Sequence, residues 1–210
     1  MKRNPIKTQK TILKTATTKF ASKGMAGTRV DEIALASEVN KGMIYHYFGD
    51  KKGLYEKVLE NQMHLMFQQM QQPQGNTEWD IIQNVAEDYF DYCYRNPEYI
   101  SLMLWEMVSE WETLNTIINK MENETRQFLI KTIEQGIQKG IFHSDTNPRL
   151  FMSLSIVQIF CFFPLFRHPN LIHPGPGRKL QDANIKGHKK QVIEQVMRSL
   201  QPESKMGGND

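Results

Sequence analysis

Cysteine is nearly absent from this chain: Cys93 and Cys161 are its only two and stand far apart in sequence. That excludes a disulfide-built fold and any clustered thiolate zinc site, and it fits reduced thiols in a cytosol. Long uninterrupted apolar runs are lacking too. The most apolar stretch, Met152 to Phe166, is broken by Ser153, Ser155 and Gln158, and at 15 residues it is short for a bilayer. A buried helix is expected there, and no membrane partner. The first twenty residues carry Lys2, Arg3, Lys7, Lys10, Lys14 and Lys19 with no apolar core behind them, unlike a secretory signal. A cytoplasmic location is expected. Catalytic signatures are missing as well. There is no phosphate loop, nucleophile–base pairing, His-x-x-x-His or paired-carboxylate spacing, and His64, His143, His168, His173 and His188 are scattered. The chain is expected to be no enzyme, with no catalytic residue, cofactor or metal.

What is present is an ordinary globular composition, 40% hydrophobic and 23% charged over 210 residues, a length that suits one compact unit or a small module joined to a larger helical one. The formal net charge is only +3, but its distribution is uneven. Residues 1–57 hold twelve Lys/Arg against five Asp/Glu, while the remainder carries fourteen against eighteen. A basic segment at +7 on a body at −4 is the electrostatic footprint of a polyanion-binding head, or equally a solvated basic face.

Helical signals dominate. Ile12, Ala16 and Phe20 repeat at i, i+4, i+8 and predict a helix from about Thr8 to Lys23, ended by Gly24. Thr28 reads as the N-cap of a second helix, with Asp31 three residues on resembling a capping box and Val30, Ile33 and Ala34 facing inward. The second helix stops near Ser37; Glu38, Val39 and Asn40 make the next turn, and Asn40 caps a short helix from Lys41 to Phe48. Gly49 and Asp50 break and re-cap. A helix from about Lys51 to Gln71 follows, with Leu54, Val58, Leu59, Met63, Met66 and Met70 on its apolar side. Gln72 to Asn76 is a break. Further helices are expected at Trp79–Arg95, from Pro97, at Leu114–Lys139 closed by Gly140, from Pro148 to near Pro164, and at Ile185–Leu200. Arg167–Asn184, rich in Pro and Gly, reads as a loop.

Three short helices with a tight turn before the third make a helix-turn-helix. At about 100° per residue, Ile44 and Phe48 share one face of the third helix and dock onto the first two. Gly42, Met43, Tyr45, His46 and Tyr47 are left outside or at the edge. So aromatic an outward face suits a groove better than water: phenol and imidazole can bond phosphates and base edges, and Met43 can touch a thymine methyl. Tyr47 remains open between core and surface. Lys2, Arg3 and Lys7 read as a minor-groove arm or as a basic tail.

Thr28-Arg29-Val30-Asp31-Glu32-Ile33-Ala34, then Val39 to Phe48, then Asp50-Lys51 and Leu54, are similar without gaps to the N-terminal domain of the tetracycline-repressor (TetR) family. The similarity covers about residues 8–60; beyond it only the all-helical layout and length agree. The resemblance implies an all-α fold, with an N-terminal three-helix helix-turn-helix domain and a larger C-terminal helical domain for ligand binding and dimerisation. It implies a reader at 1–50, a connecting helix at 51–71, and an effector-binding and dimerisation domain at 72–210. Position by position it places Thr28 and Arg29 on phosphate. It places Lys41, Gly42, Met43, Tyr45, His46 and Tyr47 on bases or backbone, and Lys51 on phosphate. Lys51 also has a reason of its own, since it stands at a helix N-terminus where backbone N–H groups favour anions. The chain departs from the family at Ser37-Glu38, where Ala-Gly is usual. If the turn keeps a left-handed backbone there, Glu38 costs about 1 kcal/mol.

The resemblance also implies a homodimer on double-stranded DNA with a palindromic operator, built on the last two helices. The nearly all-round apolar Pro148–Pro164 segment and the Val192, Ile193, Val196, Leu200 stripe agree with that or with a monomer core. The middle of the chain is soft and aromatic. Tyr89, Met103, Trp105 and Phe128 are candidates for a pocket holding a small apolar or amphipathic effector, though such residues more often fill cores. Glu106 and Glu110, one turn apart, read as a solvated face ahead of a partner for a cationic ligand. The expected function is a sequence-specific DNA-binding regulator of the ligand-released repressor type. The alternative is an effector-independent regulator with the same head and a closed C-terminal core.

Overall fold

The computed structural model of this chain describes residues 4–70, 73–120, 124–167 and 185–202. Among the described residues there are ten helices and no strand: α1 Pro5–Gly27, α2 Val30–Ser37, α3 Lys41–Phe48, α4 Lys51–Gln69, α5 Glu78–Arg95, α6 Pro97–Val108, α7 Glu112–Lys120, α8 Glu124–Gln138, α9 Pro148–Arg167 and α10 Ile185–Arg198. The all-α expectation holds. The chain divides into two compact units, Met1–Met66 with Asn96–Glu122, and Phe67–Arg95 with Asn123–Asp210. Helices α6 and α7 therefore cluster with the N-terminal head.

In the first unit, α1 starts earlier than its apolar period suggested. Asn4 accepts from the N–H groups of Ile6 (3.1 Å) and Lys7 (3.4 Å), and Pro5 takes the first helical position. Lys7 consequently lies on the helix and not on an arm; Lys2 and Arg3 fall outside the described residues. Ile12, Ala16 and Phe20 are fully buried, as their spacing predicted. Gly24, at φ 69°, breaks the regular helix, and a further helical turn carries it to Gly27.

Thr28 does not cap α2. Arg29 occupies that position with no side-chain cap bond. The Thr28 hydroxyl instead donates to the Gly24 carbonyl at 2.7 Å, with the Lys19 carbonyl 3.2 Å away. The left-handed break at Gly24 strips α1 carbonyls of helical partners, and a nearby hydroxyl satisfies them better than it serves the next helix. The other caps follow expectation. Asn40 accepts from Gly42 N–H at 2.7 Å, and Asp50 from Gly53 N–H at 2.7 Å after the positive-φ Gly49. Glu38 holds the turn in the left-handed region at φ 55°, ψ 33°. The apolar side of α4, Leu54 through Met70, is buried.

Helix α6 is bound to this head. The Trp105 indole N–H donates to the Ala21 carbonyl at 3.1 Å, and its ring lies so close over Gly24 that a Cβ there would stand 2.9 Å away. Glu106, read from sequence as a solvated residue, is 1% exposed. One carboxylate oxygen accepts from Tyr55 Oη at 2.8 Å, the other from Leu114 N–H at 2.8 Å. A buried carboxylate survives because both oxygens are bonded. Phe20 packs edge-on against Tyr55 at 5.0 Å.

The second unit packs α5 against α8, α9 and α10. Phe90 meets Phe163 at 4.9 Å and Phe162 at 5.5 Å, and Phe162 and Phe166 flank the His188 ring. Helix α9 does not stop near Pro164 but continues to Arg167, because a proline this close to a helix end removes only one ladder bond. Its 19 residues Pro148–Phe166 are long and apolar enough to cross a membrane, so shortness does not argue against a span. Only 22% of that stretch is buried, so the buried helix expected from sequence is not found: α9 buries one side, with Phe151, Ile159, Phe160, Phe163 and Phe166 inward and contacts to α5, α8 and α10. Leu150, Leu154 and Leu165 remain exposed on one side of it. Of the helix anticipated over Leu114–Lys139, the described parts are α7 and α8, and Gly140 closes the latter at φ 69°. Most of the anticipated Arg167–Asn184 loop lies outside the described residues.

Candidate nucleic-acid interface

Helix α3 has two turns, and its faces separate as the 100° step requires. Ile44 is fully buried, while Lys41, Gly42, Tyr45 and His46 are exposed and Met43 and Tyr47 half-buried. Phe48, expected in the core with Ile44, is only half-buried. It closes the helix beside Gly49, where the chain turns away, and its ring packs edge-on against Tyr47 at 6.2 Å. Tyr47 in turn tilts against His46 at 5.4 Å. His46, Tyr47 and Phe48 thus form a connected row of rings, with Tyr45 exposed beside Lys41.

An exposed ion pair joins the start of α3 to α2. Lys41 Nζ lies 2.8 and 3.0 Å from the two Asp31 carboxylate oxygens and 5.9 Å from the Tyr45 ring centre. Asp31 holds the Lys41 ammonium above its ordinary pKa. Asp31, read from sequence as half of a capping box, is instead the tie between α2 and α3. Lys23 pairs with Glu32 at 2.7 Å and holds that carboxyl below its usual range. Sequence reasoning missed both pairs, since partners nine and ten residues apart leave no periodic signal.

The phosphate candidates differ among themselves. Arg29 is exposed at the entrance to α2. Lys51 is half-buried at the entrance to α4 and donates to the Thr28 carbonyl at 3.3 Å. Thr28 is 1% exposed with its hydroxyl on α1 carbonyls, so the side-chain phosphate contact implied by the family resemblance is not offered by this conformation. Leu35, 83% exposed on α2, is an outward apolar residue of the head that periodicity assigned to no face.

The four pocket candidates do not share a unit. Met103 (buried) and Trp105 belong to the first, and Trp105 is committed to α1. Tyr89 (buried) and Phe128 (exposed) belong to the second. Aromatic richness marked them, but it does not distinguish packing from lining. The second unit has an open cleft of about 700 Å³ between α5 and α10, with Trp79, Ile193 and Met197 as its apolar part and Lys186, Lys189 and Arg198 among its cations. None of the four lines it. Among the described residues no group of three His, Cys, Asp or Glu could hold a metal.

The family described as bacterial regulatory proteins of the tetR family matches residues 12–58, and the tetracyclin repressor-like C-terminal domain matches residues 80–196. The HTH-type transcriptional repressor SCO4008 of Streptomyces coelicolor is 30% identical over 147 residues, covering 70% of this chain and 72% of its own. The HTH-type transcriptional repressor NicS of Pseudomonas putida is 26% identical over 147 residues, covering 66% and 68%. Among solved structures, a tetR family regulator from Shewanella sp. PV-4 superposes with TM-score 0.72 at 17% identity, covering 92% of this chain and 97% of that one. FadR of Bacillus subtilis, solved with stearoyl-CoA, does so with TM-score 0.70 at 17% identity, covering 91% and 98%.

Proposed function

The chain belongs to the TetR family of DNA-binding transcriptional regulators, and from that premise we propose that it is a ligand-released repressor, working as a homodimer on a palindromic operator. The observation that carries this reading is the outward face of α3. Tyr45 and His46 point away from a helix that Ile44 anchors, Asn40 caps and the Lys41–Asp31 pair ties down. A rigid helix with polar-tipped rings outward is a base-edge reader. Gly42 and Met43 allow close approach, Tyr47 and Lys41 flank the row, and Arg29 and Lys51 take phosphates. Thr28 serves by fixing the entrance to α2, not by its hydroxyl.

In this reading residues 1–50 read DNA, 51–71 connect, and 72–210 sense and dimerise. The exposed Leu150, Leu154 and Leu165 stripe of α9 is what a second copy would cover. Two heads must seat about one helical turn of DNA apart, roughly 34 Å, so an effector that alters their spacing by a few ångströms releases the operator. The effector class is small and apolar or amphipathic, in line with the stearoyl-CoA bound by FadR of Bacillus subtilis. The protein is a regulator, not an enzyme, and acts in the cytoplasm.

A mobility shift with DNA from upstream of its own gene, in rising salt, tests the reader. Specific retention of one fragment is expected, and binding to all fragments alike would refute it. A second reading, regulation without an effector, has support in Tyr89, only 3% exposed in the body. A thermal-shift panel of acyl and aromatic compounds separates the two: stabilisation by any member supports release by ligand, and none supports the closed core.

A further inference from the structure

The cations of the head are not distributed as a single reading surface requires. Some are neutralised in part: Lys41 at the start of α3 pairs with Asp31, and Lys23 in the C-terminal part of α1 pairs with Glu32. The N-terminal half of α1 is different. No Asp or Glu precedes Asp31, so α1 is a 23-residue helix with five lysines and no carboxylate. Lys7, Lys10 and Lys14, spaced i, i+3, i+7, fall within an arc of about 60°, opposite the buried Ile12 and Ala16. All three are exposed, and none has an ion-pair partner among the described residues. Exposed Thr11 and Thr18 continue the same side, each bonding back to a carbonyl of its own helix.

We propose, resting on the DNA-reading function above, that this lysine row is a second, sequence-blind contact with the DNA backbone flanking the bases that α3 reads. Charge complementarity selects the occupant, since a row of like charges without counter-ions of its own releases condensed counterions when it meets phosphates. Placement agrees: in helix-turn-helix readers the helix ahead of the recognition helix crosses the backbone, and in the homeodomain, a three-helix variant, the arm leading into the first helix enters the adjacent minor groove, so contacts N-terminal to the reader fall on flanking DNA. Dimensions agree too, because Lys7 to Lys14 rises about 10 Å, the axial span of about three phosphates of one strand. The first amides of α1 are taken by Asn4, so the contact is through side chains. The division of labour is then explicit. Helix α3 supplies sequence, and α1 supplies a large part of the salt-dependent affinity.

The test starts by selecting duplexes from a random pool with the full-length protein, then measures affinity against salt for the selected duplex, with and without its flanking base pairs. Replacing Lys7, Lys10 and Lys14 together by Gln should lower the salt slope by roughly one per lysine in each head. With six lysines lost from the dimer and curves converging towards 1 M, affinity should fall about 10,000-fold at 0.15 M salt. Trimming the flanks should weaken the unaltered protein in the same way and the variant no further. Lys131→Gln, exposed on α8, should change nothing. An unchanged slope in the triple variant, with the selected duplex still bound, overturns the α1 contact and leaves the reader standing. Failure to enrich any duplex overturns the reader itself.

Discussion

The two units hold themselves together differently. The first adds to its apolar core polar groups with specific partners: Thr28 on the Gly24 carbonyl, Glu106 between Tyr55 and Leu114, Trp105 on Ala21, Asn40 and Asp50 on helix starts. The second relies on rings, with Phe90, Phe162, Phe163 and Phe166 packed around α5, α9 and His188. Hydrogen bonds are directional and fix side chains to fractions of an ångström, whereas aromatic packing tolerates several arrangements of similar energy. A surface that must match base edges benefits from the first kind of support. A body that must change shape around a guest benefits from the second.

That contrast can be broken most visibly in the second unit. Phe160 is fully buried on α9, and Phe160→Ala should cost about 3–5 kcal/mol through lost burial and the cavity left behind. Denaturant melts followed by helicity measure it. A cost below about 1 kcal/mol would mean that the rings are not what holds this unit. The first unit should respond through a different term. Glu106→Ala strands the Tyr55 hydroxyl and the Leu114 amide in the interior, at a cost of about 2–4 kcal/mol. Glu106→Gln, which keeps an acceptor, should cost less than half of that. Burial, and next the bond to Glu106, hold the Tyr55 phenol far above its ordinary pKa, so it stays a donor at any working pH. If Ala and Gln prove equivalent, packing and not hydrogen bonding supports α6.

The same contrast governs what could be read from the sequence. Asn40, Asp50 and Gly49 were legible because each acts on residues within four positions, where backbone geometry alone sets the rule, and Ile44 because the 100° step of a helix alone assigns its face. The roles of Thr28, Asp31 and Glu106 were not. Thr28 looked like a cap because caps are its commonest local use, yet its partner lies behind it on α1. Glu106 looked solvated because a Glu pair one turn apart usually is, and its partner Tyr55 is 51 residues away. Trp105 was taken for a pocket residue for the same reason, its acceptor Ala21 being 84 residues distant. In the second unit the elements were legible and their ends less so, since apolar runs have no terminating signal; α9 ran through its proline.

At the reading surface the expected effect is smaller and falls on binding alone. Tyr45→Ala and His46→Ala should each weaken specific DNA binding by about 1–3 kcal/mol while non-specific binding stays the same. Both side chains are exposed, so their melts should shift by less than about 0.5 kcal/mol. Equal losses on specific and random duplexes would make these residues backbone contacts, and would move base reading to Met43 or Tyr47.

The smallest effect tests whether rigidity or charge shaped the turn. Glu38 holds a left-handed backbone, φ 55°, that a glycine adopts without strain. Glu38→Gly should therefore stabilise the head by about 0.5–1 kcal/mol, the relief of left-handed strain reduced by the greater freedom of glycine in the unfolded chain. It also removes one of only five carboxylates among the twelve cations of residues 1–57, so DNA affinity should rise modestly at low salt and return to its original value at high salt. A stability gain without an affinity change would make the turn a purely structural compromise. An affinity gain that persists at high salt would instead mean that a freer turn seats α3 more deeply, and that the head is less rigid than its polar ties imply.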